Sequence, residues 1–176
     1  LHYWLALAEV DPSHAPEVLW LNGGPGSSSV LGMLQEQGPL LNNASGGLML
    51  NPYSWTKTAV STRCLPALRG TTSTLTPHAD FPKTLVVLES PTGVGYSYCS
   101  TQVAGGVCKN TDKLTASAAR AAVVNLFEKF PELSQNEFFV TGESYAGVYV
   151  PTLSKELLDH AKGQVNFKGL MVGDPC

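Results

Sequence analysis

The chain has 176 residues, 43% hydrophobic and 14% charged, which is enough for one domain with a sizeable core and excludes a disordered chain. Its formal net charge is -3 with no block of like charges, which argues against a nucleic-acid surface and points to no partner by charge alone. No apolar run reaches the length of a membrane span, and Leu1-His2-Tyr3-Trp4 lacks the basic start of a signal peptide; with no initiator Met, the true N-terminus is expected upstream.

In chain order, an extended stretch from Tyr3 to Val10 reaches the turn signal Asp11-Pro12. Val18 to Leu21 reads as a buried strand, and the Gly-rich loop Asn22-Gly23-Gly24-Pro25-Gly26-Ser27-Ser28-Ser29 leads from it into a short helix, Leu31 to Gln37. Asn43-Ala44-Ser45 is the one N-x-S/T sequon, a glycan acceptor at Asn43 if the protein is secreted. Ser61 to Thr84 has no periodicity of either kind, and a 24-residue stretch of this sort inside a compact domain is unusual, so it reads as poorly ordered, dispensable and the first site of proteolysis. Leu85 to Leu88 is another strand covered on both faces. Cys99 and Cys108 bracket Gly105-Gly106 and are expected to close a local disulfide near the Gly93-Val94-Gly95 turn, with two free thiols in a reducing compartment as the alternative. The four cysteines have no C-x-x-C spacing, so a zinc site is not expected, and the sequence points to no other metal or cofactor. Thr111 or Asp112 can cap a helix from about Lys113 to Phe130, with Ala118, Ala122, Leu126 and Phe130 at helical spacing. Phe138 to Val140 is a strand, Ala146 to Ala161 a helix, and Phe167 to Val172 a last strand, which together make an α/β pattern with a mainly parallel sheet flanked by helices.

Gly142-Glu143-Ser144-Tyr145-Ala146-Gly147, between the strand and the helix, has the form of a nucleophile elbow, in which small residues let the backbone double back and lift the serine hydroxyl above the sheet. Ala146 takes the place of the usual last glycine, with Gly147 behind it. Acyl transfer through serine creates an oxyanion that needs two convergent N–H donors, one from the residue after the nucleophile and one from a Gly-rich loop after an earlier strand. Tyr145 and Gly24, about 120 residues upstream of the serine, supply them, the alternative being two unrelated glycine turns.

With these residues, the chain resembles the serine carboxypeptidase family of α/β-hydrolases, which includes cathepsin A and the vacuolar and plant carboxypeptidases. The similarity runs almost end to end, through Leu1 to Trp4, Val18 to Ser29, Asn51 to Lys57, Glu89 to Tyr98, Gly142 to Gly147 and Gly173 to Pro175. The resemblance implies Ser144 as nucleophile, the N–H groups of Gly24 and Tyr145 as oxyanion hole, and peptide C-termini as substrate. It implies that Asn22, the Gly23 N–H and Glu143 hold the substrate carboxylate, with Glu36 as supporting acid and Trp20 in the same network; without it, Glu36 reads as a solvated helix charge. Two nearby carboxyl groups raise at least one pKa and keep a proton available in mild acid, which suits a lysosome or vacuole, with an extracellular location also open. A homodimer of the full-length form is among the implied assemblies.

Departures from the family pattern carry expectations of their own. Ser27 stands where many members have a cysteine, and Cys176 would pair with a downstream partner. Residues 61–84 look like inserted or mis-spliced coding sequence within a single partial domain, 1–176. In this fold the acid and histidine follow the nucleophile, but only 32 residues follow Ser144. Asp159 and His160 are the adjacent candidates, yet 16 residues of helix at about 1.5 Å each put His160 roughly 24 Å from Ser144. The chain therefore reads as the N-terminal part of a carboxypeptidase that lacks its base, inactive and aggregation-prone alone. The rival readings are an acyltransferase built on the same site and a non-catalytic peptide-binding fragment.

Overall fold

The computed structural model describes residues 1–57 and 82–176. Its strands are β1 (Tyr3–Ala6), β2 (Glu17–Leu21), β3 (Leu40–Asn42), β4 (Leu48–Leu50), β5 (Thr84–Leu88), β6 (Phe138–Glu143) and β7 (Phe167–Gly173). The helices are α1 (Val30–Gln35), α2 (Ser100–Val103), α3 (Asp112–Lys129) and α4 (Ala146–His160), with a 3-10 turn at Pro131–Leu133. Five strands form one sheet in the order β1-β5-β2-β6-β7. β5, β2, β6 and β7 run parallel, and β1 pairs antiparallel with β5.

β2 and β5 are buried at every position, as continuous apolar strands covered on both faces should be. One face carries Leu19, Leu21, Val86, Leu88, Phe138 and Val140 into the main core against α3 and α4. The other carries Trp20, Leu85 and Val87 into a smaller cluster with Met33 of α1 and Trp55, whose ring meets Trp20 edge-on at 5.6 Å. Among the described residues no helix is long and apolar enough to cross a membrane.

Several details differ from the expectations. The first strand stops at Ala6, well short of Val10. The buried stripe of α3 is Ala116, Ala119, Val123, Leu126 and Phe127; Ala122 and Phe130 only flank it. Sheet and α4 cover a face set by Val123 and Phe127, and helical spacing among many alanines does not choose between adjacent faces. The cap of α3 is Thr111, whose hydroxyl accepts from Leu114 N at 3.2 Å. The hairpin of β3 and β4 was not expected. Most of the segment 61–84 lies outside the described residues; of its last three residues, Thr84 opens β5.

Glu17, first residue of β2, breaks the apolar pattern. Its side chain is fully buried, Oε1 accepts from Asn136 Nδ2 at a long 3.4 Å, and Oε2 has no hydrogen-bond partner among the described residues. Burial pushes its carboxyl from the ordinary 4.5 up to about 8, partly offset by the Asn136 amide. An acid whose folded pKa is raised holds its proton more tightly in the fold than in the unfolded chain. Its contribution is therefore most favourable below about 4.5 and is lost as pH rises through about 8. Thermal melts from pH 4 to 9 should show Glu17→Gln gaining on the wild type as pH rises, by on the order of a few kcal/mol at the alkaline end. A constant difference across that window would contradict the assignment.

Candidate active site

β6 leaves the core at Gly142-Glu143 and reverses at Ser144, which adopts φ 56, a left-handed conformation that side chains other than glycine rarely take. Tyr145 is already right-handed and α4 begins at Ala146. This is a strand-turn-helix elbow, and bare backbone makes it fit. A β-carbon at Gly142 would lie 2.3 Å from Leu21 O and 2.5 Å from the Ala146 β-carbon, so Ala146 can replace a glycine only while Gly142 stays bare. At Gly147 a β-carbon would meet Pro175 at 2.9 Å and Cys176 O at 3.0 Å.

The loop after β2 crosses this elbow at contact distance. A β-carbon on Gly23 would sit 2.5 Å from Tyr145 N and 2.8 Å from Glu143 O. Beyond it Gly24 has φ 112 and Gly26 φ 91, with a cis Gly24–Pro25 bond between them. Tyr149, a buried residue of α4, meets Tyr145 edge-on, ring centroids 5.1 Å apart. Tyr145 in turn donates from its hydroxyl to Asp112 at 3.2 Å. Sequence reasoning missed Asp112 and Tyr149 here, because contacts between separate elements leave no local pattern.

Beside the serine lies a polar chain. Trp20 Nε1 donates to Asn22 Oδ1 at 2.8 Å, as does Gly32 N at 3.3 Å, and Asn22 Nδ2 donates to Glu143 Oε1 at 3.0 Å. Two donors at its oxygen orient the Asn22 amide, so its nitrogen must face Glu143. Ser29 Oγ accepts from Asn22 N at 3.0 Å, and Gly32 leaves room for Trp20 and Asn22, roles that composition did not reveal. Glu36 caps α1 and is exposed; partial burial and then the charge of Glu143 raise its pKa above the ordinary value. An apolar trough of about 800 Å³, lined by Val18, Trp20, Trp55, Phe139 and Met171, includes Glu143 in its wall.

The other sequence candidates fall as follows. Cys99 and Cys108 are joined, against the Gly93 turn. Asn43 sits in the β3–β4 turn, where its Oδ1 accepts from Ser45 N, Ser45 Oγ and Gly47 N. Asp159 pairs with Lys155, and His160 ends α4, so neither serves Ser144. The Ser144 hydroxyl lies 3.5 Å from Cys176 Sγ, and neither a histidine nor a carboxylate bonds it among the described residues.

A left-handed serine between a parallel strand and a helix, crossed by a glycine loop from the neighbouring strand, defines the chain as an α/β-hydrolase. The family model for serine carboxypeptidases matches residues 1–60 and 82–176, and the chain belongs to that family. It is 39% identical to serine carboxypeptidase-like 35 of Arabidopsis thaliana and 40% identical to serine carboxypeptidase 1 of Hordeum vulgare, in each case over 99% of this chain and 32% of that protein. The crystal structure of Kex1(delta)p, a prohormone-processing carboxypeptidase from Saccharomyces cerevisiae, superposes with TM-score 0.75 at 27% identity, over 99% of this chain and 34% of that one. The chain thus spans about a third of the length of these relatives.

Proposed function

We propose that these residues form the nucleophile and substrate-carboxylate half of a serine-type carboxypeptidase. Ser144 Oγ attacks the carbonyl carbon of the last peptide bond, and its proton passes to a base outside the described residues and on to the leaving amine as the C–N bond breaks. Water then hydrolyses the acyl-serine. The N–H groups of Gly24 and Tyr145 stabilise the oxyanion. Asn22, the Gly23 N–H and Glu143 hold the free carboxylate of the substrate, with Glu36 supporting Glu143 and Trp20 orienting Asn22.

The observation that carries this reading is the 3.0 Å bond from Asn22 Nδ2 to Glu143 Oε1, directly beside Ser144. A carboxyl in that place can grip a second carboxylate only by donating a proton, and burial together with the charge of Glu143 raises the pKa of the nearby Glu36, so Glu36 keeps its proton to higher pH than an ordinary glutamate. The Cys99–Cys108 disulfide supports an oxidising, secretory route to a lysosome, vacuole or the exterior, in which Asn43 would carry a glycan. Lacking a base at Ser144 among the described residues, the 176-residue chain alone is expected to be inactive, so activity is assayed on the full-length gene product.

The test compares a peptide with its C-terminal amide. The free acid should be cleaved at least about 100-fold better at pH 5, where lost charge-assisted hydrogen bonds penalise the amide. KM for the free acid should rise with pH as Glu36, whose pKa is raised, loses its proton, while the amide should show no such rise. Equal cleavage of both at every pH would refute carboxylate recognition.

A further inference from the structure

Glu89 is, like Glu17, a fully buried acid, but its surroundings are the reverse. Oε1 accepts from the Ser28 hydroxyl and Oε2 from Tyr96 N at 2.8 Å. Its backbone is tied as well, the N–H to His2 O at 3.0 Å and the carbonyl to Ser97 Oγ at 2.6 Å. The carboxyl fills the space beneath Gly95, where a β-carbon would fall 1.4 Å from Oε2, and Gly95 has φ 53. Nothing in the proposed reaction uses this group.

Its partners explain it. Ser28 is two residues past Gly26, in the loop that crosses the elbow, and its oxygen also accepts from Val30 N at 3.3 Å as α1 begins. The neighbouring Ser29 ties the same loop to Asn22 N. The loop is glycine-rich and its tip, Gly24 to Gly26, is exposed, so little apolar packing restrains it. Glu89, just beyond β5, therefore joins that loop to the turn at 91–97 through a buried carboxyl with both oxygens occupied.

We propose that Glu89 is a positioning residue that, through Ser28, fixes the loop at 23–29 and with it the Gly24 N–H relative to Ser144. This rests on the reading of Gly24 and Tyr145 as the oxyanion hole. A loop free to move by an ångström would no longer present its N–H to the developing oxyanion, which needs donors held in place beforehand.

The experiment uses the full-length gene product, Ser28→Ala, the rescue variant Ser28→Thr, and Ser97→Ala, which cuts a tie of Glu89 on the side away from the loop. Hydrogen exchange is read in peptides covering 22–30 and 138–143, and the rate at which a fluorophosphonate labels Ser144 is measured in parallel. Ser28→Ala should speed exchange in 22–30 roughly tenfold while 138–143 stays as in the wild type, because the change strands a buried acceptor. Labelling should slow by about the same factor. Ser28→Thr should restore both, and Ser97→Ala should leave 22–30 unopened relative to 138–143. Unchanged exchange at 22–30, or an opened loop with labelling at the wild-type rate, would overturn the proposal. A wild type that never labels would count against the serine-hydrolase reading, and the exchange pattern alone would then decide whether Glu89 holds the loop.

Discussion

Gly23→Ala is expected to leave the protein unfolded or without activity. Its β-carbon would lie 2.5 Å from Tyr145 N, 2.8 Å from Glu143 O and 2.9 Å from the Ser144 β-carbon. The first two are backbone atoms on either side of Ser144, so no rotamer change relieves the clash. Either the loop lifts off the elbow, taking Asn22 and Gly24 with it, or the elbow deforms. Overpacking of this kind costs about 1–3 kcal/mol where neighbours can yield, and more where they are backbone. Gly173→Ala is the matched control: among the described residues its β-carbon would meet nothing within 4 Å, so it should fold and melt normally. Soluble yield, melting temperature and turnover of the two variants check this directly. A well-folded, active Gly23→Ala would mean that the loop does not sit on the elbow.

Ser144→Ala should reduce turnover by roughly 10⁴ to 10⁶-fold, the loss expected when the nucleophile of a triad is removed and only binding and oxyanion stabilisation remain. KM should change little, because the residues proposed to hold the substrate carboxylate are untouched. The same position makes a second prediction about stability. At φ 56 alanine keeps the strain of a left-handed side chain, whereas glycine releases it. Ser144→Gly should therefore be more stable than Ser144→Ala by about 1 kcal/mol, although both are inactive. Equal melting temperatures would argue against a strained elbow.

The parts of this architecture that could be read from the sequence are those where a local pattern follows directly from burial or backbone geometry. Val18 to Leu21 and Leu85 to Leu88 are continuous apolar runs because these parallel strands are covered on both faces, and Phe138 to Val140 is a third such run, with Phe138 and Val140 buried. The elbow showed itself through glycines that a reversed chain requires. What stayed hidden depends on partners distant in the sequence. The three-residue strands β3 and β4 are too short to show a period, and the turn Asn43 to Gly47 between them drew notice only for its sequon. Glu17 could not be distinguished from a strand-end charge until Asn136, 119 residues away, proved to donate to its carboxyl. The Ser28–Glu89 contact spans 61 residues and leaves no mark in either motif. The resemblance did name Asn22 and Glu143 for one shared role, but the bond between their side chains spans 121 residues and no spacing argument reaches it.

The most direct test of Ser144 as the nucleophile of a carboxypeptidase is a time course of one unlabelled peptide with the full-length gene product at pH 5, followed by mass spectrometry beside Ser144→Ala. Residues should leave one at a time from the C-terminus, and the Ser144→Ala reaction should show the intact peptide throughout. Internal cleavage, or the same C-terminal ladder from the Ser144→Ala protein, would contradict the account.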